Sequence, residues 1–247
     1  MQNYQPHIRL APDPELCCAI LPGDPARIDR VLPFLENTQE LAYNREYRSA
    51  CGYYKGVKIL ALSTGIGGAS MGIAVEEMLQ IGITHAVRIG SAGALQNGIR
   101  IGDLLLATGA VRDDGASCAY VPAQFPAVAD PSLLQACLCA AQAQNLPYHL
   151  GIVRSHDSFY TDQETEICEA WSARGVLGSD METAALFTIG ALRGMKTASI
   201  LNNVVLYQAD TAQGIEEYGN GDAMAAQGEA AEIRVALEAL ARVIQDE

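Results

Sequence analysis

The sequence predicts an α/β chain in which a mostly parallel or mixed sheet is covered by helices. Three observations carry that reading. Apolar strand-like runs alternate with helical patterns along the chain. Runs such as KILALST are apolar at successive positions, as strands buried on both faces are. No repeat, low-complexity segment or Pro/Gly-rich linker divides the chain, so residues 1–247 read as one domain.

The strand-like runs fall at 17–22, 57–64, 85–90, 103–111, 150–155, 176–178 and 197–205. Helical patterns cover 25–35, 69–81, 131–144, 163–174, 183–193 and 222–245. In sheets of this kind ligands gather at the carboxyl ends of strands. The chemistry-bearing residues stand there: Gly23 to Arg27 after the first run, Gly65 to Gly68 after the second, and Arg88 with Ser91 at the third. HDSFYTDQ and SDMET follow two later runs.

Composition narrows the function classes. At 49% hydrophobic content, the 247 residues can bury a sizeable core. A formal net charge of −13 argues against a nucleic-acid or anionic-membrane partner. The N-terminus has neither a basic start nor an apolar segment of signal-peptide type, and we expect no transmembrane helix. The 7 cysteines form no CxxC pair and read as small core residues of a reduced, cytoplasmic protein. His7, His85, His149 and His156 have no metal-ligand spacing.

LPGDPARI places a turn glycine and Asp24-Pro25 at a helix start, with Arg27 in the first turn. Helix starts bind anions, and an arginine adds a forked donor. STGIGGAS lacks the GxGxxG spacing, so its glycines read as close backbone approach rather than a nucleotide loop. Arg88 interrupts an apolar strand. A buried charge needs a partner, so it has a carboxylate beside it or faces an anion in a cleft. AYNREYRSACGYY reads as a hairpin strand whose charges cover a solvated face. In GSDMETAA, Asp180 and Glu182 bracket Met181 at a strand-to-helix junction. Acids suit a helix N-cap, and a substrate site is the other reading.

Taken together, HIRL (7–10), LPGDPARI (21–28), NRE (44–46), STGIGGAS (63–70), IAVEEM (73–78), RIGSAGA (88–94), GDLLLATGAVRDDGAS (102–117), DSFYTDQ (157–163) and DMETAAL (180–186) resemble the nucleoside phosphorylase-I family, with most similarity to uridine phosphorylases. The resemblance implies a three-layer α/β/α sandwich around a mixed, partly barrel-like sheet. It also implies reversible phosphorolysis of a nucleoside to free base and α-D-ribose-1-phosphate. Gly23, Arg27, Arg88 and Ser91 match phosphate-binding positions, and Arg45 matches an arginine lent by a neighbouring subunit. His7 matches a ribose-contacting histidine that is also lent. Met181 and Glu182 match the ribose-binding pair, so Arg88 and Glu182 carry the catalysis. Phe159 and Gln163 match base-binding positions. Glu46, Ile66 and Ser70 match a monovalent-cation (potassium) site between subunits. Phosphate is the co-substrate, with no cofactor beyond it. A dimer is the minimal unit, and uridine-type members form hexamers.

The residue types suit the chemistry. Arginines hold a phosphate dianion through charge-assisted bonds of about 1.5–3 kcal/mol each. A carboxylate on the ribose hydroxyls favours the oxocarbenium-like transition state. The sequence departs from the family in four places, one being the segment from Phe159 to Asp180, which is short for a uridine phosphorylase and closer to purine-type enzymes. Thr165 stands where uridine phosphorylases carry an arginine. No acid stands at Val204-Val205, where purine enzymes carry an aspartate, although Asp210 follows. Asp180 stands where Glu is usual. A purine or other nucleoside phosphorylase with a remodelled base pocket, or a catalytically weak nucleoside-binding relative, therefore stays open as an alternative.

Overall fold

The centre of the structure is a closed ring of five strands: β5 (His85–Ala94), β10 (Lys196–Val205), β6 (Leu104–Asp113), β8 (Tyr148–His156) and β9 (Gly178–Asp180). It belongs to a computed structural model that describes residues 4–247. The ring is mixed: β10 runs parallel to β5, and β8 runs parallel to β6 and β9. The β10–β6 and β5–β9 pairs are antiparallel. The first half of β5 also pairs in parallel with β1 (Cys18–Pro22). From β1 the sheet continues outward through β4 (Val57–Leu62), β3 (Tyr47–Tyr54) and β2 (Glu36–Asn44). The two-residue β7 (Ala127–Val128) pairs with β6.

Alternation along the strands sorts the core into two layers, because successive side chains point to opposite faces. Ala19, Leu21, Leu60, Leu62 and Ala86 pack with helices α2 (Gly68–Gln80) and α6 (Thr183–Arg193). Cys18, Ile20, Ile59, Ala61 and Val87 pack with α4 (Pro131–Ala143) and α8 (Ala223–Asp246). The fold is thus a three-layer sandwich whose middle layer is partly barrel. By the same parity Arg88, two residues beyond Ala86, faces the α6 side.

Several elements depart from the sequence reading. The helix expected over 25–35 is a 3-10 turn (Pro25–Arg27), one turn of α1 (Ile28–Val31) and a second 3-10 turn (Leu32–Phe34). Pro33 lacks the amide that a continuous helix needs. The strand expected over 176–178 begins at Gly178 and runs to Asp180, so Asp180 is a strand residue. The hairpin turns at Arg45, which adopts φ +58°. Helices α3 (Gly115–Tyr120), α5 (Glu164–Ser172) and α7 (Thr211–Gly219) complete the set. Of the cysteines, Cys18, Cys51 and Cys137 are buried, Cys118 is exposed, and the other three are intermediate. None is in a disulfide. Among the described residues no helix is long and apolar enough to cross a membrane.

Candidate active site

Strand ends and helix starts enclose a cavity of about 1100 Å³. Gly23 and Arg27 line it from the end of β1, Arg88 and Ser91 from β5, and Met181 and Glu182 from the β9–α6 junction. Phe159 lines it from the loop after β8.

Arg88 joins two strands of the ring to α6. Its Nε donates to Asp180 Oδ2 at 3.0 Å, and its Nη2 lies 2.5 Å from Glu182 Oε2. Burial opposes its charge, and Glu182 and Asp180 outweigh that, so the guanidinium is held more firmly protonated than usual. Its Nη1 is buried and has no hydrogen-bond partner among the described residues. Two of its nitrogens thus hold carboxylates, as the ion-pair reading expects.

Of the two acids in the GSDMETAA motif, Asp180 takes the capping role and Glu182 does not. Asp180 Oδ2 accepts from the Thr183 amide at 3.0 Å and its hydroxyl at 2.6 Å, and Oδ1 accepts from Ser155 Oγ at 2.5 Å. It is the structural acid that caps α6 from within strand β9. Glu182 makes no capping bond to α6; Oε1 instead accepts from the Gly67 amide at 2.5 Å. Burial pushes its carboxyl above the usual range, against the pull of Arg88. The STGIGG run explains that contact. Gly67 takes φ +95°, a conformation L side chains rarely adopt. A Cβ on Gly68 would stand 2.9 Å from the Ala116 Cβ, so α2 starts close against α3.

Arg27 is surrounded by groups that its local sequence did not announce. Its Nε donates to Tyr218 Oη at 2.9 Å and to Glu229 Oε2 at 3.1 Å, and Nη1 lies 3.3 Å from Glu232 Oε1. Arg30 Nη1 donates to the same Glu229 oxygen at 2.6 Å. Burial resists ionisation of Glu229, and Arg27 and Arg30 overcome it, leaving this carboxyl below its ordinary value. Glu232 is 0% exposed; its Oε2 accepts from the Gly90 amide at 3.2 Å, and burial pushes the carboxyl up to about 8. Sequence reasoning missed this group. The available signal was two acids three residues apart, Glu229 and Glu232, inside the otherwise apolar stripe of α8.

At the other end, Phe159 is accompanied by His156, Thr165, Cys168, Ser179 and Val205. Gln163 is exposed at the N-terminus of α5 and does not line the cavity, although Glu164 and Thr165 beside it do. Asp210 is no base-pocket acid either: it caps α7, accepting from the Gln213 amide at 2.9 Å.

His7 and Arg45 lie outside their own chain's cavity. The His7 Nδ1 is 2.5 Å from Glu77 Oε1, and its carbonyl accepts from Asn44 Nδ2 at 2.7 Å, next to the hairpin tip that exposes Arg45. Glu46 and Ile66 line the cavity rim, with Ile66 79% exposed. Ser70 Oγ donates to the Ile66 carbonyl at 3.2 Å and to that of Gly67 at 3.0 Å. Arg48 is the solvated-face arginine, paired with Asp29 and Glu40 at 2.6 Å each.

Residues 18–240 match the family described as the phosphorylase superfamily. The crystal structure of uridine phosphorylase from Vibrio fischeri, complexed with 6-hydroxy-1-naphthoic acid, matches with a TM-score of 0.90 at 47% identity, covering 97% of each chain. The uridine phosphorylase of Thermococcus kodakarensis is 38% identical over 211 residues, 81% of this chain and 76% of that one. A guanosine phosphorylase from Halorubrum lacusprofundi is 35% identical over 196 residues, 79% of this chain and 81% of its own. By that match and these relatives, the chain belongs to the phosphorylase superfamily, as a nucleoside phosphorylase-I member that resembles uridine phosphorylases.

Proposed function

We propose that this chain catalyses phosphate-dependent cleavage of uridine, or a related pyrimidine nucleoside, to the free base and α-D-ribose-1-phosphate. One observation carries the reading: the spare Nη1 of Arg88 and the aimed carboxylate of Glu182 belong to one ion-paired group in one cavity. An anion taken up by Arg88 is thereby set beside the acid that would hold the ribose. The uridine phosphorylases among its relatives support the same reaction.

In this reading phosphate is bound by the Gly23 backbone, Arg27, Arg88 and Ser91. Glu182 accepts hydrogen bonds from the ribose hydroxyls, and Met181 packs on the sugar. As the glycosidic bond breaks, Glu182 and phosphate stabilise the positive charge growing on the ribose, and phosphate then attacks C1′. Phe159 covers base and sugar. The reaction so written draws on phosphate as co-substrate and on no cofactor. The partner subunit's His7 and Arg45 complete each site, so the working unit is at least a dimer. A hexamer follows from the resemblance alone, and a cytoplasmic location from reading the cysteines as those of a reduced protein. A potassium ion would suit the oxygens of Glu46, Ile66 and Ser70, which are hard donors close to Gly65; a Cβ there would stand 2.7 Å from the Glu46 Cγ.

The test is a nucleoside panel (uridine, thymidine, inosine, guanosine, adenosine) with and without phosphate, read as base released. Uracil release that requires phosphate is expected. Turnover of purines alone, release indifferent to phosphate, or no turnover at all would each overturn the proposal.

A further inference from the structure

The base end of the cavity lacks the polar groups that the family resemblance leads one to expect. Thr165 carries no charge, Gln163 stands outside, and Val205 is apolar. The wall instead contains His156, at the end of β8 and only 7% exposed. Its Nδ1 is 2.9 Å from the carbonyl oxygen of Ser158. A carbonyl oxygen only accepts, so Nδ1 carries the proton. In the neutral ring that leaves Nε2 with a lone pair. No group among the described residues bonds to Nε2. The tether is two residues long and lies in the loop that carries Phe159, so the ring's orientation is fixed together with that aromatic. Ser179 Oγ, on the adjacent β9, lines the same cavity and is buried without a partner.

This lone pair at the cavity wall has no partner among the described residues and is open to a ligand that supplies a donor. Uracil has one ring N–H that remains when the base is joined to ribose, at N3, flanked by two carbonyls. We infer that His156 is a specificity-determining residue for the base, its Nε2 accepting the N3–H of the uracil ring. The inference rests on the pyrimidine reading above. It assigns base recognition to β8 rather than to α5, and it selects nucleosides whose base presents an N–H at that edge.

The experiment compares uridine with 3-methyluridine, which lacks the N3 proton, in the wild type and in His156→Ala and His156→Gln. In the wild type, kcat/KM should fall about 10- to 100-fold on methylation, the range of one buried donor–acceptor pair. His156→Ala should lower kcat/KM for uridine by a similar factor and narrow the gap between the two substrates to within about threefold. The KM for phosphate should stay the same. His156→Gln, whose amide oxygen reaches to about the position of Nε2, should restore part of the preference. Equal cleavage of both substrates by the wild type overturns the assignment, as does an undiminished preference in His156→Ala. The wild-type comparison decides the matter even if a variant does not fold. Failure to cleave uridine at all refutes the functional reading itself, whereas cleavage of uridine without discrimination refutes only the role of His156.

Discussion

Arg88 and Glu182 meet with Nη2 and Oε2 2.5 Å apart, both side chains buried, and Asp180 holds the same guanidinium from the neighbouring strand. One arginine thereby fixes the geometry of strand β5, strand β9 and the start of α6, while its Nη1 has no partner among the described residues.

Removing that arginine leaves two buried carboxylates without their counter-charge. Arg88→Ala should cost about 3–5 kcal/mol of stability as well as activity. Urea unfolding measures it. A variant as stable as the wild type would show that the pair contributes only to binding.

Replacing the acid while keeping its shape shifts the loss toward activity. Glu182→Gln retains volume, and Asp180 still balances Arg88, but with its one oxygen on the Gly67 amide its NH2 group faces the Arg88 Nη2 donor, so stability should fall by about 1–3 kcal/mol, less than for Arg88→Ala. Its carboxylate charge is lost from the transition state, and kcat for uridine should drop about 10²- to 10³-fold. Steady-state kinetics beside a thermal melt separate the two effects.

Glu232 gives a pH signature. Its carboxyl is pushed by burial up to about 8, from an ordinary value of 4.5. Between those values the unfolded chain has released the proton and the folded chain has kept it. Stability should therefore fall as pH rises through that window, by about 1.4 kcal/mol per unit, and level off above it. Glu232→Gln removes this component. Unfolding free energies at about pH 5 and about pH 8 should show the variant gaining on the wild type at the higher pH. A difference that does not change with pH would reject this account of Glu232.

Gly178 sets the position of Asp180. A Cβ there would stand 2.7 Å from Leu105 Cδ1 and 2.8 Å from the Gly93 carbonyl oxygen. Gly178→Ala should displace β9 at a cost of about 1–3 kcal/mol and raise the phosphate KM through Asp180 and Arg88. Melting temperature and phosphate titration check both parts.

Shared sites predict complementation. Arg45→Ala and Glu182→Gln should each be impaired alone. In mixed dimers one site carries both lesions and the other neither, so unfolding and refolding the two together should restore about a quarter of the sites. No gain on mixing would mean that each chain completes its own cavity.

The sequence by itself determined the βα alternation and the positions of most strands, though not of β2 or β7, because apolar periodicity is a local property. It also marked the strand ends where the cavity lies, and it made Arg88 conspicuous as a charge in an apolar run. Where it went astray, one cause was local and the others were remote. Pro33 broke a helix that looked continuous, while Gln163 stands outside a cavity that Glu164 and Thr165 beside it line. The resemblance singled out Glu182, but that Asp180 caps α6 while Glu182 reaches Gly67 depends on where α2 begins, more than 100 residues earlier. The partners of Arg27 come from α7 and α8, near the other end of the chain. The state of His156 turns on one carbonyl two residues away. Periodicity reports which face of an element is buried; only the tertiary structure decides which two charges share that burial, because the low dielectric of the interior ties each to whatever partner the fold brings within reach.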